Sequence, residues 1–161
     1  FDEVALDYPA TEADYGYIDA FMQWITRSPE HYDTVVTSNM FGDISTDLGA
    51  VLQGGMGMAA SGNIGDEHAF FEPVHGSAPK HAGKNKVNPI ASINSIQMMM
   101  DYLGRKTNDD DLIAVGHLID ESVADHLKHG KMLTYDIGGT ASCSDVGISI
   151  AERLATKLKE R

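Results

Sequence analysis

Two stretches of this chain hold residues whose types and spacing could do chemistry. The first is Phe71–Asn88, FEPVHGSAPKHAGKNKVN. Small Gly76, Ser77 and Ala78 let the backbone approach a ligand closely, which larger side chains would block. His75, Lys80, His81, Lys84 and Lys86 gather donors and positive charge in a chain whose formal net charge is −12. A glycine-containing loop with cations beside exposed backbone N–H groups is one way proteins hold phosphate. The plainer alternative is a solvated loop that ends where Asn88–Pro89 starts a helix. The second stretch is GDISTD, with Asp43 and Asp47 four residues apart. On a helix both carboxylates share one face, and without a ligand they repel by roughly 0.2–0.5 kcal/mol. A divalent cation reverses that sign, because Mg²⁺ and Mn²⁺ favour carboxylate oxygens. Spacing alone leaves both readings open, a solvated pair and a metal pair.

The surrounding elements must position these groups. A short strand is expected around Val4–Leu6. Ile18, Phe21, Met22 and Ile25 fall at helical spacing and predict a helix over Tyr17–Arg27, ended by Pro29. DTVVTS, Asp33–Ser38, is rich in β-branched residues and reads as a buried strand. Gly42–Gln53 reads as a second helix with Ile44, Leu48, Val51 and Leu52 on its apolar side, stopped by Gly54 and Gly55. Met56–Gly65 reads as a short apolar segment followed by a loop, and Ala69–Phe71 as a strand leading into the lysine-bearing loop. Pro89 suits the start of a helix over Ile90–Leu103, ended by Gly104. Ile93, Ile96, Gln97 and Met100 span one of its faces, and Met98–Met100 reads as core.

Asp109–His129 is amphipathic, with Leu112, Val115, Ile119, Val123 and Leu127 at helical spacing. His117, His126 and His129 do not share one face and are expected to be solvated. Asp136–Ser144 reads as a loop before a last helix, Asp145–Lys159, with Ser144 as its N-cap. Strands alternating with helices predict an α/β fold. No G-x-G-x-x-G follows a strand, so the dinucleotide fingerprint of doubly wound sheets is absent.

Composition limits the function classes. A hydrophobic share of 42% with 22% charged residues suits a globular domain with a sizeable core. The net charge of −12 argues against nucleic acid and anionic membrane surfaces as partners. No apolar run approaches the roughly 20 residues of a membrane span, and no signal-peptide pattern opens the chain. Cys143 is the one cysteine. It precludes an internal disulfide framework and fits a reducing compartment, so a cytoplasmic location is expected.

HGSAPKHAGKNKVNP resembles the adenosine-phosphate loop of the isocitrate/isopropylmalate dehydrogenases, the metal-dependent β-decarboxylating dehydrogenases. The similarity extends over nearly the whole chain. DAFMQWITRSPEHYD, SNMFGDISTDLG and GMGMAASGNIGDEHAFFEPVHGSAP lie upstream. NPIASINSIQMMMDYLG and LTYDIGGTASCSDVGISIAERL follow. Their order and spacing together carry the resemblance. It implies the isopropylmalate-dehydrogenase-like α/β fold, with two domains and an active site in the cleft between them. Residues 1–53 would belong to the smaller, dimer-forming domain, and residues 54–161 to the larger one with the dinucleotide loop. The resemblance also implies that this is the C-terminal part of a longer subunit. The family's catalytic Tyr and Lys and its substrate-binding arginines match nothing after Phe1, so the chain alone is expected to be inactive.

The site residues follow from the same resemblance. Asp43 and Asp47 match the family's metal-binding pair and Asp19 its third acidic position, which reaches the Mg²⁺ or Mn²⁺ from the other subunit of a homodimer. Asp19 and Asp43 are thereby linked to catalysis. Glu72, His75, Gly76, Ser77, Ala78, Lys80, His81, Val87, Asn88 and Tyr135 match cofactor-binding positions. The implied reaction is nicotinamide-linked oxidation and decarboxylation of a 2-hydroxy-3-carboxy acid. Motifs divide on the substrate. DAFMQWITRSPEHYD and APKHAGKNKVNP look closest to NADP-dependent isocitrate dehydrogenases. FGDISTD, FEPVHGSAP and DIGGTAS look closer to isopropylmalate, homoisocitrate and tartrate/malate relatives, which use NAD. Isocitrate with NADP is favoured, because Lys80 stands where many NAD-using members carry Asp. His81 replaces the Tyr of the NADP enzymes, Tyr135 matches their second 2′-phosphate contact, and Gly139 stands where they carry Arg. A non-catalytic binding or assembly fragment is the reading from another class.

Overall fold

The computed structural model describes all residues, Phe1–Arg161, and divides into two compact units, Phe1–Gly49 and Ala50–Arg161. The division falls within one helix. The first unit holds three helices, α1 (Asp2–Ala5), α2 (Ile18–Arg27) and the body of α3 (Asn39–Leu52). Helix α2 buries Phe21, whose ring meets Tyr32 edge-on at 5.0 Å. That is a favoured aromatic geometry. Helix α3 starts three residues before the expected Gly42, and Gly54 and Gly55 end it with φ of 108° and 110°. Its apolar side is open: Ile44 and Val51 are 53% and 65% exposed.

Two expectations in this unit are corrected. Val4–Leu6 is not a strand, because Asp2–Ala5 closes a helical turn with Ala5 N–H donating to the Phe1 carbonyl. Asp33–Ser38 is extended but forms no ladder. A strand exists only through a partner's N–H and C=O groups, and within the chain none lines up there. Val36 is accordingly 76% exposed.

The second unit is built on an antiparallel hairpin, β1 (Ala60–Ile64) and β2 (Ala69–Pro73), with Gly62 opposite Phe71. Strand β1 replaces the loop expected there. ASGNI has little intrinsic strand preference, and pairing with AFFEP supplies what propensity lacks. Gly62 also clears the Phe71 ring, since a Cβ there would lie 3.0 Å from Phe71 Cε1 and 3.3 Å from Met98 Cε.

Helix α4 (Ile90–Thr107) packs on this hairpin, α5 (Asp110–His129) packs on α4, and α6 (Cys143–Glu160) packs on α5. The core is Met58, Ile90, Val123, Val146 and Ile150, flanked by Ile93, Leu127 and Ala141. Ile96 lies outside it, 46% exposed. Gly104 does not end α4. It is buried where α4 meets the start of α5, and a Cβ would come within 2.6 Å of Ile113 Cγ1 and 2.9 Å of the Asp109 carbonyl. Asn108, in the left-handed region at φ 54°, makes the turn instead. Asp109 caps α5, accepting from the Asp111 and Leu112 amides.

Two further corrections concern α5 and α6. The N-cap of α6 is Ser142 rather than Ser144: Ser142 and Asp145 form a reciprocal capping box, and their hydrogen bonds hold the Asp145 carboxyl below its ordinary range. His126 is not solvated. It is 2% exposed, facing Ser149 Oγ at 3.0 Å, and burial with the nearby Arg153 guanidinium lowers its imidazole below the ordinary histidine value. No helix is long and apolar enough to cross a membrane.

Candidate cofactor site

Strand β2 delivers the chain into the loop that the sequence singles out. Its backbone turns sharply at Ala78, which lies in the left-handed region at φ 45°. Pro79–His81 then closes a 3₁₀ turn, with the His81 amide donating to the Ala78 carbonyl at 2.9 Å. The His75 ring is fixed locally, with Nδ1 donating to the Gly76 carbonyl at 2.9 Å. At the far end of the loop Asn88 is buried. Its Oδ1 accepts from the Ile90 amide at 3.0 Å and so caps the start of α4, while Nδ2 donates to Asp136 Oδ2 at 3.1 Å. That second bond ties the loop to the Tyr135–Ile137 turn in front of α6.

Between these segments lies a cleft of about 640 Å³. That volume falls within the usual range for small-molecule and cofactor sites, about 300–1,000 Å³. One wall is Gly54–Gly57. The second is His75–Ala78 with His81, and the third is Val87, Asn88, Tyr135 and Asp136. Eight residues expected to bind cofactor are thus brought together: His75, Gly76, Ser77, Ala78, His81, Val87, Asn88 and Tyr135. Glu72, on β2, and Lys80, on the 3₁₀ turn, are exposed and outside the lining.

Sequence reasoning missed the glycine wall and Asp136. Gly54 and Gly55 were legible only as a helix stop. The GGMG pattern was nevertheless the available signal. Gly57 is a close approach: a Cβ would lie 2.7 Å from Asp136 Oδ2 and 2.9 Å from Asn88 Cβ. Its carbonyl accepts from the Ala91 amide at 2.9 Å, anchoring the wall to α4. Gly139 has an equally definite cause. A Cβ there would collide with the Leu133 carbonyl and come within 2.6 Å of Leu133 Cβ. The turn leaves no space for a side chain at that position.

The profile of the isocitrate/isopropylmalate dehydrogenase family matches residues 1–150. The chain belongs to this family. It is 45% identical over 159 residues to the homoisocitrate dehydrogenase of Methanocaldococcus jannaschii, covering 99% of this chain and 43% of that protein. It is 43% identical over 156 residues to the 3-isopropylmalate dehydrogenase of Thermobifida fusca, covering 95% and 41%. The crystal structure of isocitrate dehydrogenase from Methylococcus capsulatus superposes with a TM-score of 0.86 at 35% identity, over 95% of this chain and 44% of that one. The chain therefore has the fold of these dehydrogenases and spans about two fifths of the length of the curated relatives named here.

The three acidic residues expected to hold metal lie in the first unit, and all are exposed. Asp19 sits in the first turn of α2, its Oδ1 accepting from the Ala20 amide at 2.9 Å. Asp43 Oδ2 accepts from Asn39 Nδ2 at 3.0 Å, and Asp47 follows one turn later on α3. Hard carboxylate oxygens suit Mg²⁺ or Mn²⁺. The chain by itself assembles no group of three such ligands. Asp43 and Asp47 lie one turn apart on α3, and Asp19 is not brought beside them.

Proposed function

We propose that the full-length protein catalyses NADP-linked oxidative decarboxylation of isocitrate, as a cytoplasmic homodimer with shared active sites. The observation that carries this reading is the cleft that gathers the phosphate-loop residues and Tyr135. Gly76, Ser77 and Ala78 leave exposed backbone for the cofactor, and the rings of His75 and His81 lie around it. Lys80 lies on the adjoining turn without an acidic partner, where a 2′-phosphate would gain a charge-assisted bond. Asp at that position would repel the same group, so Lys80→Asp shifts preference toward NAD.

Asp43 and Asp47 would hold Mg²⁺ or Mn²⁺ together with Asp19 from a second subunit. When bound, the ion supplies Lewis-acid polarisation of the substrate hydroxyl. The open apolar side of α3, with Ile44 and Val51 exposed beside these carboxylates, favours a subunit contact along that helix. The test has two parts. Rates with isocitrate, 3-isopropylmalate and homoisocitrate are compared on the complete enzyme, and good activity on isopropylmalate with negligible activity on isocitrate reverses the order of substrates. Asp43→Asn is expected to weaken Mn²⁺ binding, and unchanged affinity and rate would remove Asp43 from the site.

A further inference from the structure

His126 is the one ionisable side chain in the buried interior. It lies in the last turn of α5, where its carbonyl accepts from the Gly130 amide at 3.4 Å. Its ring faces α6 through Ser149 Oγ. The Met132 carbonyl favours the charged ring, but Nε2 makes no hydrogen bond. A cation at a helix C-terminus is ordinarily favoured. Burial, and then the Arg153 guanidinium, outweigh both effects here. Arg153 is in none of the chain's ion pairs, and its Nε is itself buried without a hydrogen-bond partner. A second positive charge beside it would be uncompensated.

The other charges around the ring are occupied, exposed or distant. On α6, Lys157 is held by Glu121 and Asp125 at 3.2 and 3.0 Å, and Glu152 is exposed. On α5, Lys128 and His129 are exposed, and His129 Nδ1 donates to the Asp125 carbonyl at 2.6 Å. Lys131, just past α5, is exposed as well. Residues 90–100 of α4 include no ionisable side chain. Asp101 and Arg105 pair with each other at 2.9 Å, and α4 passes Gly116 at the Asp101 amide. Gly116 lies roughly 15 Å along α5 from His126.

Residues 130–134 alone join α5 to the Tyr135–Ile137 turn. Thr134 is fully buried, and its carbonyl accepts from the Ile137 and Gly139 amides at 3.2 and 2.9 Å. The Leu133 carbonyl accepts from the Ala141 amide at 2.8 Å. The His126 ring thus lies beside the connection whose carbonyls hold the turn, and Tyr135 and Asp136 of that turn line the cleft. An imidazolium here must reach water. On the α6 side Val146 and Ile150 are core, whereas Lys131 and Met132 are already exposed. The connection is the side that can give way.

We propose that His126 is a proton-sensitive latch behind the Tyr135 turn: the neutral ring keeps the 130–134 connection closed, and its protonation releases the connection and weakens cofactor binding. The inference rests on the reading of the cleft as a nicotinamide-cofactor site, and not on the choice between NADP and NAD. Proton uptake and cofactor binding then oppose each other. The opposition is absent well above the ordinary histidine value of 6.5 and grows as pH falls below it.

The test is calorimetric binding of NAD and of NADP to the full-length dehydrogenase between pH 7.5 and 5.5. NAD carries no phosphate monoester, so it brings no titration of its own into this interval, whereas the 2′-phosphate of NADP does. Affinity is expected to fall severalfold more in the unmodified protein than in His126→Gln. A group of ordinary value 6.5 supplies at most about tenfold over this interval. Arg153→Gln removes the charge that opposes protonation and should move the onset of the fall to higher pH. Hydrogen exchange of residues 131–141, corrected for its intrinsic pH dependence, should quicken at pH 5.5 in the unmodified protein and not in His126→Gln. If neither cofactor binds at pH 7.5, the cofactor reading fails and the proposal with it. If binding is seen and falls as steeply in His126→Gln, the reading stands and the latch is overturned, the titrating group then being His75 or His81 of the cleft. An onset unmoved by Arg153→Gln, or exchange that does not quicken, also overturns it.

Discussion

Gly139→Ala is the smallest change that probes how the Tyr135 turn is held. The added methyl meets the Leu133 carbonyl and Leu133 Cβ, the latter at 2.6 Å, and backbone cannot swing aside as a flexible side chain can. Overpacking of this kind costs about 1–3 kcal/mol. Relief requires the turn to open, and two bonds define it: the Gly139 amide to the Thr134 carbonyl at 2.9 Å, and the Ala141 amide to the Leu133 carbonyl at 2.8 Å. Each contributes about 1 kcal/mol net. The expected loss is therefore about 3–5 kcal/mol, with Tyr135 displaced and NADP bound at least roughly tenfold more weakly. Gly147→Ala is the control. Gly147 lies inside α6 with nothing within 4 Å of a new Cβ. There alanine should stabilise by up to about 1 kcal/mol through helix propensity. Urea unfolding of the full-length dehydrogenase, read beside NADP titration, checks both substitutions. A Gly139→Ala protein with an unchanged midpoint and unchanged NADP affinity would refute the argument that close approach dictates this glycine.

Two further predictions concern the packing of α6. Burial lowers the His126 pKa below the ordinary 6.5, so the unfolded chain takes up a proton first as pH falls. The stability His126 contributes is complete above that value and is lost progressively below it. Asp101, Asp125 and Asp145, all lowered from 3.8, lose their contributions only in more acidic solution. Unfolding midpoints at pH 7.5 and 5.5 should therefore separate for the unmodified protein and converge on His126→Gln. An undiminished separation in that variant would place the titrating group elsewhere. Ser142→Ala removes the side chain that accepts from the Asp145 amide, and should cost about 1 kcal/mol of stability by urea denaturation. Ser144→Ala should cost less if Ser142 is the cap, and the reverse order would restore Ser144 to that role.

What the sequence made legible was local and periodic. The apolar spacing of α2 and α5, Asp109 ahead of α5 and the glycines after α3 each act within one or two turns of chain. The loop that lines the cleft stood out because Gly76, Ser77 and Ala78 stand beside histidines and lysines in one short run. What failed depended on distant partners. DTVVTS has strand composition but no neighbour to pair with, whereas ASGNI lacks that composition and is a strand because AFFEP lies opposite. Gly104 looked like a helix stop, but it is a contact point for Ile113. His126 looked solvated, and α6 covers it through Ser149. The contributions of Gly57 and Asp136 to the cleft arise from segments about 80 residues apart in sequence, meeting across the buried Asn88. No spacing rule connects them.

This cleft is proposed to receive a 2′-phosphorylated nicotinamide cofactor. The direct measurement is kcat/KM of the full-length enzyme with NADP and with NAD at saturating isocitrate and Mn²⁺. A preference for NADP of at least roughly tenfold is predicted. Equal values, or a preference for NAD, would contradict it and show that Lys80 and Tyr135 do not read the phosphate.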